Sequence, residues 1–546
     1  MALFDRASLV QIPSGYKEGK LYNIKPFDQP FEFERGSAAT RVNEDGLIET
    51  FYDEATNLLL QSNQFDTTWT TFNADTPTTG YSGYDGSTDA WLLSKTGSGG
   101  SVTQTVSTSG VQTISFYAKA NTSNWIRVTL GSVGTSFFDL ANGVFGVDQS
   151  ISSNATSLGD GWHRISLTFN GSGTHVQLFV ADGDNDISGT SGSIYIQDAQ
   201  LESGYFATPY IETTTEAVTR PNRHDTPRID YTNGKSLLLE PQRTNYTPYS
   251  EDFTQWTRGG GQQYVTSNYA ISPDGTQNAD RILFTGENQE VAFNDASISG
   301  ATVGSIYIKG TSGETIRFGV NDSNVPTHTL DGTWQRIEAI RSTTGGVRLT
   351  VNTYGGATAR DVLVWGAQLE QASYATSYIP TNGQTETRLL EYCHLENSTN
   401  LIGQNEGSYY IEWTHRIADQ TYSIFNITDG TNDNRIQLSF NQSLNLGFLY
   451  AVDGSTHFSD VNIQQLSVGQ NYKFAVTYTQ NSLTAYLDGI KIIDYTSFSA
   501  SNGNFNQIAF GLKSDNPSFK FNMPCSKVVV FPEALTDTEL QELTTI

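Results

Sequence analysis

The sequence predicts an all-β protein built from antiparallel two-sheet sandwiches in series. Three observations carry that expectation. Apolar and polar residues alternate with a period of two, as at Ile114/Phe116/Ala118, Ile165/Leu167/Phe169 and Val176/Leu178/Val180, which is the pattern of half-buried strands. Two long segments of the chain match each other in order, with an offset that falls from 187 at Trp69/Trp256 to 172 at Trp162/Trp334 and 168 at Ala199/Ala367. Charged residues make up only 16% against a typical ~25%, while Gly numbers 50 and aromatics reach 12%, a profile of sheets joined by many turns.

An N-terminal segment, residues 1–52, precedes the duplication and is read as an extended attachment arm. The first copy, residues 53–215, opens on Thr56-Asn57 and runs through Phe65 and Trp69 to the frame Ala199–Thr213 (AQLESGYFATPYIET). A linker rich in Pro, Arg and Asn follows at 216–236. The second copy, residues 237–386, repeats the opening at Thr244-Asn245 and closes on Ala367–Thr381 (AQLEQASYATSYIPT). Thr-Arg pairs at 40–41, 219–220 and 387–388 punctuate the chain. A period this long means duplicated domains rather than a solenoid. Short strands over ~150 residues with no amphipathic helix between them make each copy a sandwich, read as a jelly roll.

The remaining residues, 387–546, form a third unit. Tyr472–Thr479, Leu483–Leu487 and Ile490–Asp494 read as a meander with an Asp488-Gly489 hairpin, and Ser526–Phe531 as a closing strand. Thr536 with Glu539 is a capping box ahead of a short helix that turns Leu540 and Leu543 inward.

Lys plus Arg is 31 against 57 Asp plus Glu, a net charge of −26, and no basic run overrides that field; nucleic-acid binding is excluded as an expectation. No apolar run approaches the ~18 residues of a membrane span, and Asp5 and Arg6 stand where a secretory signal needs apolar residues. Synthesis in the cytoplasm is therefore expected, although the Thr, Ser, Asn and Gly content is that of exposed surfaces such as adhesins and virions. The two cysteines, Cys393 and Cys525, are too few for a disulfide scaffold and are read as free buried thiols rather than a bridge.

These residues resemble known families. Each copy, with its Asn-rich opening strand, Phe and Trp, and its Ile-Tyr-Ile strand leading to AQLE, resembles jelly-roll carbohydrate-binding modules. The C-terminal meander with its LDG turn and LTDTEL helix resembles concanavalin A-like, laminin G-like lectin domains. The phrases SLVQIPSGYKEGKLY, GSAATRVNEDGLIE and PRIDYTNGKSLLLEPQRTN resemble tail-fibre and structural proteins of marine bacteriophages. What the resemblance implies is a protein assembled in the host cytoplasm, exposed on the particle surface, contacting other virion proteins and itself, as a trimer, and meeting host cell-surface glycans. The alternative it leaves open is an architectural head-fibre, decoration or tail component.

Sugar binding needs an aromatic face to stack on a pyranose ring and planar polar groups for its hydroxyls. Tyr81, Tyr84 and Trp91 in the first copy, and Tyr264 and Tyr269 in the second, lie in loop-like segments among Gly, Ser and Asn and are the stacking candidates. Trp69, Trp162, Trp256 and Trp334 recur in both copies and are read as core or sheet-edge packing. The resemblance also implies a structural calcium in the first copy, held by Asp66 and Asp198, whose counterparts in the second copy are Thr254 and Gly366. Asp182-Gly-Asp184-Asn-Asp186 departs from a calcium loop at its sixth and twelfth positions and reads as a solvated acidic turn. Asp429–Asn434 reads as an oxygen-rich hairpin loop. No catalytic constellation is present: there is no Glu-x-Asp, Gly-x-Ser-x-Gly, His-Glu-x-x-His or phosphate loop, so no enzyme is expected.

Overall fold

The computed structural model describes residues 3–545 apart from 14–15, 18–19, 27–28, 52–53, 222, 261–262, 296–297, 299, 321–324, 342–346, 356–358, 416–421 and 512–522. Nearly all of the regular structure is strand, arranged as three two-sheet sandwiches, and every pairing between extended strands is antiparallel. In the first sandwich, Ser152–Gly159, Trp162–Asn170, Val111–Ala120, Gly192–Ser203, Ala90–Lys95 and Thr78–Tyr81 lie side by side. They face Val144–Asp148, Gly134–Asp139, Trp125–Leu130, His175–Ala181, Ser101–Thr105 and Thr70–Phe72. The predicted alternation fills the core between them: Ile114, Phe116, Ile165, Leu167, Val176 and Leu178 are buried there. The second sandwich repeats this with two five-stranded sheets around Phe253, Ile306, Ile337 and Leu349.

The repeated phrases are hydrogen-bonding devices, and they are the same in both copies. Asn57 Nδ2 donates to the carbonyls of Ala199 (3.2 Å) and Ile211 (2.8 Å), and its Oδ1 accepts from the N–H groups of Leu59 and Leu201. Asn245 makes the equivalent four bonds to Ala367, Ile379, Thr247 and Leu369. In the closing frames, Glu202 accepts from the N–H and hydroxyl of Thr208 while Gln200 Oε1 takes the N–H of Ile211; Glu370, Thr376, Gln368 and Ile379 repeat this. Buried backbone groups in these irregular segments have no sheet partner, so an amide or carboxylate must supply one. Trp69 and Trp256 are buried, and their indole N–H groups donate to the carbonyls of Gln61 and Tyr249.

The third sandwich corrects the expected organisation. Residues 1–52 do not stand clear as an extended arm. Leu9–Gln11 pairs with the last strand, Met523–Phe531, in the register Leu9↔Val530, and Glu32–Glu34 pairs with Tyr392–Leu395. Part of the expected linker is also sheet: Arg228–Asp230 pairs with Ser236–Leu239, which pairs in turn with Met523–Phe531. The reason is apolar area, because Leu9, Leu21, Phe31, Phe33, Ile229 and Leu237 complete a core shared with Tyr409, Phe425 and Phe474. Residues 14–15 and 18–19 of the N-terminal phrase lie outside the described residues.

Elsewhere the third unit follows its sequence pattern. Asp488 and Gly489 take φ of 48° and 79°, the left-handed pair of a two-residue hairpin. Thr536 and Glu539 exchange hydrogen bonds at the start of the helix Asp537–Thr545, whose Leu540 and Leu543 are buried. Cys393 and Cys525 are free, buried thiols, and burial pushes Cys525 up to about 12, which keeps it in the unreactive protonated form.

Where these segments meet, five ionic side chains are shut away from solvent. Glu391 accepts from Arg35 (2.8 Å) and Arg228 (2.7 Å), and Glu240 accepts from Arg228 (2.9 Å) and pairs with Arg388 (2.8 Å). All five side chains are 0% exposed. Desolvation works to raise the Glu391 carboxyl, but the pull of Arg228, Arg35 and Arg388 outweighs it and leaves the group below its ordinary value. Removing one partner leaves a buried charge uncompensated. Glu391→Ala is therefore expected to destabilise the third sandwich by about 3–5 kcal/mol in urea unfolding. Arg6→Ala, which removes partly exposed pairings to Glu533 and Glu539, is expected to cost less than ~1 kcal/mol.

Candidate functional site

The outer face of the first sandwich, away from its core, carries a cluster of accessible aromatic rings near polar side chains. Strand alternation builds it: Phe116 and Ala118 point into the core, so Tyr117 points out, and Ile194 and Ile196 point in, so Tyr195 points out. Buried Tyr117 and Trp162 form the floor, and half-buried Tyr81, Tyr84, Tyr195 and Tyr210 stand on it. Tyr84 lies parallel to Tyr117 with ring centroids 3.6 Å apart, and Tyr81 meets Tyr195 at 5.2 Å.

The loop between Tyr81 and Ala90 supplies the polar rim. Gly86 takes φ +83°, and Asp85 Oδ1 accepts the N–H of Ser87, closing a tight turn. Gln197 Nε2 donates to Asp89 (2.9 Å), whose other oxygen accepts from Asn63 (3.1 Å). Tyr84 Oη donates to Asp198 (2.9 Å), and Tyr210 shares a hydrogen bond with Ser62 (2.6 Å). Burial, helped by the nearby Asp89 and Asp85, pushes the Asp198 carboxyl up to about 7 against the pull of the Tyr84 hydrogen bond. The result is a surface of ring faces edged with planar acceptors and donors, which is the chemistry that holds a pyranose.

The expected stacking residues divide. Tyr81 and Tyr84 are together on this face. Trp91 is not: it is 6% exposed, lies on the strand Ala90–Lys95 and packs in the core with Leu93, its N–H donating to the Asn63 carbonyl. Its place outside is taken by Tyr195 and Tyr210, the first of which the alternation of Ser193–Gln197 marks as outward. Trp162, read as packing, is buried as part of this outward cluster. Tyr264 and Tyr269 are about half exposed, at 52% and 51%, but they sit on an edge strand, Gln263–Ala270, rather than in loops. Arg281, bonded to Asp361 through two N–H groups, lies 4.9 Å over the Tyr269 ring.

The calcium expectation does not fit the donor set. Asp66 is exposed, Asp198 is engaged by Tyr84, and among the described residues no group of three or more His, Cys, Asp or Glu side chains is placed to hold a metal. The acidic turn at Asp182–Asp186 is satisfied locally: Asp182 takes Lys95 and the N–H of Gly189, and Asp184 takes the N–H of Val147. Asp429 likewise accepts from Thr431 and Asn434 within its own hairpin loop.

The raised Asp198 carboxyl gives the first sandwich a pH signature. The folded state keeps a proton between the ordinary carboxylate range near 4 and about 7, a window in which the unfolded chain loses it, so stability falls as pH rises through that window. Asp198 adopts φ 52°, which Asn tolerates, and Asn still accepts from Tyr84. Asp198→Asn is expected to stabilise the first sandwich at pH 8 by on the order of 2 kcal/mol or more and to leave it unchanged near pH 4, measured by urea unfolding at the two values.

No protein-family model matches the chain, and no curated protein does. Solved structures resemble parts of it at low identity. Domain 4 of AbnA, an extracellular arabinanase from Geobacillus stearothermophilus, in complex with arabinotriose, matches at 15% identity over 32% of this chain and 82% of its own, with a TM-score of 0.25. The CBM40 domain of the Ruminococcus gnavus IT-sialidase, bound to α2,3-sialyllactose, matches at 14% identity over 26% of this chain and 84% of its own, with a TM-score of 0.23. A heptameric SAP-like pentraxin from Limulus polyphemus matches at 14% identity over 26% and 70% respectively, with a TM-score of 0.22.

Proposed function

We propose that the chain is a non-enzymatic glycan-binding protein of a bacteriophage virion, an appendage component whose serial sandwiches attach the particle to host-surface sugars. The observation that carries the sugar-binding reading is the outward ring cluster of Tyr81, Tyr84, Tyr195 and Tyr210 beside the exposed carboxylates of Asp85 and Asp89. Isolated exposed aromatics are common on protein surfaces, but four half-buried rings sharing one sheet face next to fixed polar groups make a directional site. Among the described residues no helix is long and apolar enough to cross a membrane. The net charge of −26 disfavours long-range attraction to anionic cell surfaces, so short-range stacking and hydrogen bonds carry the contact. A single shallow face binds weakly, and assembly in several copies, a trimer in the present reading, raises avidity by ~10²-fold or more.

The particle-level part of the proposal rests on the sequence phrases around residues 8–22, 36–49 and 227–245. It is tested by cryo-electron microscopy of the intact particle, in which this chain should project at least one sandwich into solvent. Burial of all three in the shell or tail wall would favour the architectural alternative. For the site itself, Tyr81→Ala and Tyr195→Ala are each expected to lower affinity for the best ligand on a glycan array by roughly two- to tenfold, with the fold intact by circular dichroism. Undiminished binding in both variants would remove this face from the proposal.

A further inference from the structure

The second sandwich carries the same polar frame as the first, but its contents have diverged, and a cleft lies against it. Glu251 stands where the first copy has Asn63, and Asn278 where it has Asp89, so the amide-to-carboxylate bond persists with its ends exchanged: Asn278 Nδ2 donates to Glu251 (2.9 Å). The tyrosine above Ser62 is matched by Tyr378, whose Oη lies 2.6 Å from the Ser250 hydroxyl and donates to Glu251 (2.8 Å). Two positions differ in character. Gln197, which bonds Asp89 in the first copy, is replaced by Trp365, and Tyr84, whose ring covers Tyr117, is replaced by Pro273.

A cavity of about 320 Å³ lies there, between the second sandwich, the strands Ser152–Gly159 and Trp162–Asn170 of the first, and Ile48 and Thr50 of the N-terminal hairpin. That volume is at the lower end of small-ligand pockets, ~300 Å³ and upward. Asn278 is 4% exposed and its Oδ1 has no hydrogen-bond partner, while Trp365, 1% exposed, turns its indole N–H toward Glu251. Both residues line the cavity. Buried polar atoms are ordinarily satisfied, so Asn278 Oδ1 describes what an occupant must bring, a donor.

The charge is equally one-sided. Asp148, Glu251, Asp252, Asp274 and Asp280 line the cavity against Arg164. Desolvation, reinforced by Asp274, pushes the Glu251 carboxyl up to about 8, so at neutral pH it holds a proton that it gives up to solvent when a cation is seated beside it. An ammonium group donates three hydrogen bonds and accepts none, which matches Glu251, Asp274 and Asn278 Oδ1, while sugar hydroxyls meet lining hydroxyls such as Thr50, Thr156 and Thr254. We infer that this cleft between the first two sandwiches binds a small polyhydroxylated amine, a monosaccharide-sized amino sugar with a free ammonium. This inference is independent of the outer face of the first sandwich, which uses other residues and faces open solvent.

The test is titration of the intact chain with glucosamine, glucose and N-acetylglucosamine, followed by saturation-transfer NMR and isothermal calorimetry, with Glu251→Gln in parallel. Glucosamine should bind at least tenfold more tightly than either uncharged sugar, and Glu251→Gln should remove at least tenfold of that affinity. Equal binding of the three sugars, no binding at tens of millimolar, or full affinity in Glu251→Gln would overturn it. Should Glu251→Gln fail to fold, the ranking of the three sugars on the native chain decides alone.

Discussion

Three arginines and two glutamates, all without solvent contact, fix where the distant parts of this chain meet. Arg35 comes from the N-terminal segment, Arg228 from the region between the two copies, Glu240 from the start of the second copy, and Arg388 and Glu391 from the entry to the third sandwich. An isolated charge at that depth costs several kcal/mol, so no one of these segments is well housed without the others. The knot thereby sets the register in which Leu9–Gln11 and Ser236–Leu239 share one edge of the last strand, and it holds the hairpin containing Ile48 against Trp365 and Tyr378. It is also anchored to the second copy, since Ser377 donates both its N–H and its hydroxyl to Glu240.

On that frame the two duplicated sandwiches carry one scaffold and two different surfaces. The scaffold is polar: Asn57 and Asn245, and Glu202 and Glu370, satisfy backbone groups that the sheets leave unpaired. Their bonds are directional and buried, so duplication preserves them. The outward residues are under no such constraint. In the first copy Tyr84 closes over Tyr117 and the rings are presented to solvent; in the second, Trp365 lines a recess that the first sandwich and the N-terminal hairpin partly wall off.

The parts of this arrangement legible in the sequence are those with local causes. Alternation at period two located the core strands, Asp488-Gly489 located a hairpin, and the Thr536/Glu539 pair located the C-terminal helix. The repeated phrases revealed the duplication because each is a set of side-chain to backbone bonds that tolerates little change. What could not be read was long-range. Nothing near Leu9 announces a partner more than five hundred residues away, and Arg35, Arg228 and Arg388 look like ordinary polar residues until their carboxylates arrive. Trp91 was misplaced for a different reason: Gly and Ser around it suggest a loop, whereas Trp91, Leu93 and Lys95 alternate inward along a strand. The same alternation, followed through Ser193–Gln197, brings Tyr195 to the outer face.

The outward rings of the first sandwich are the proposed sugar-contacting surface. Hydrogen-exchange mass spectrometry of the intact chain, with and without purified host-surface polysaccharide, tests it most directly because it reports where protection appears. The account predicts slowed exchange in peptides covering Thr78–Tyr81 with its following loop and Gly192–Ser203, and unchanged exchange at Gln263–Ala270. Protection confined to the third sandwich, or none at saturating polysaccharide, would contradict it.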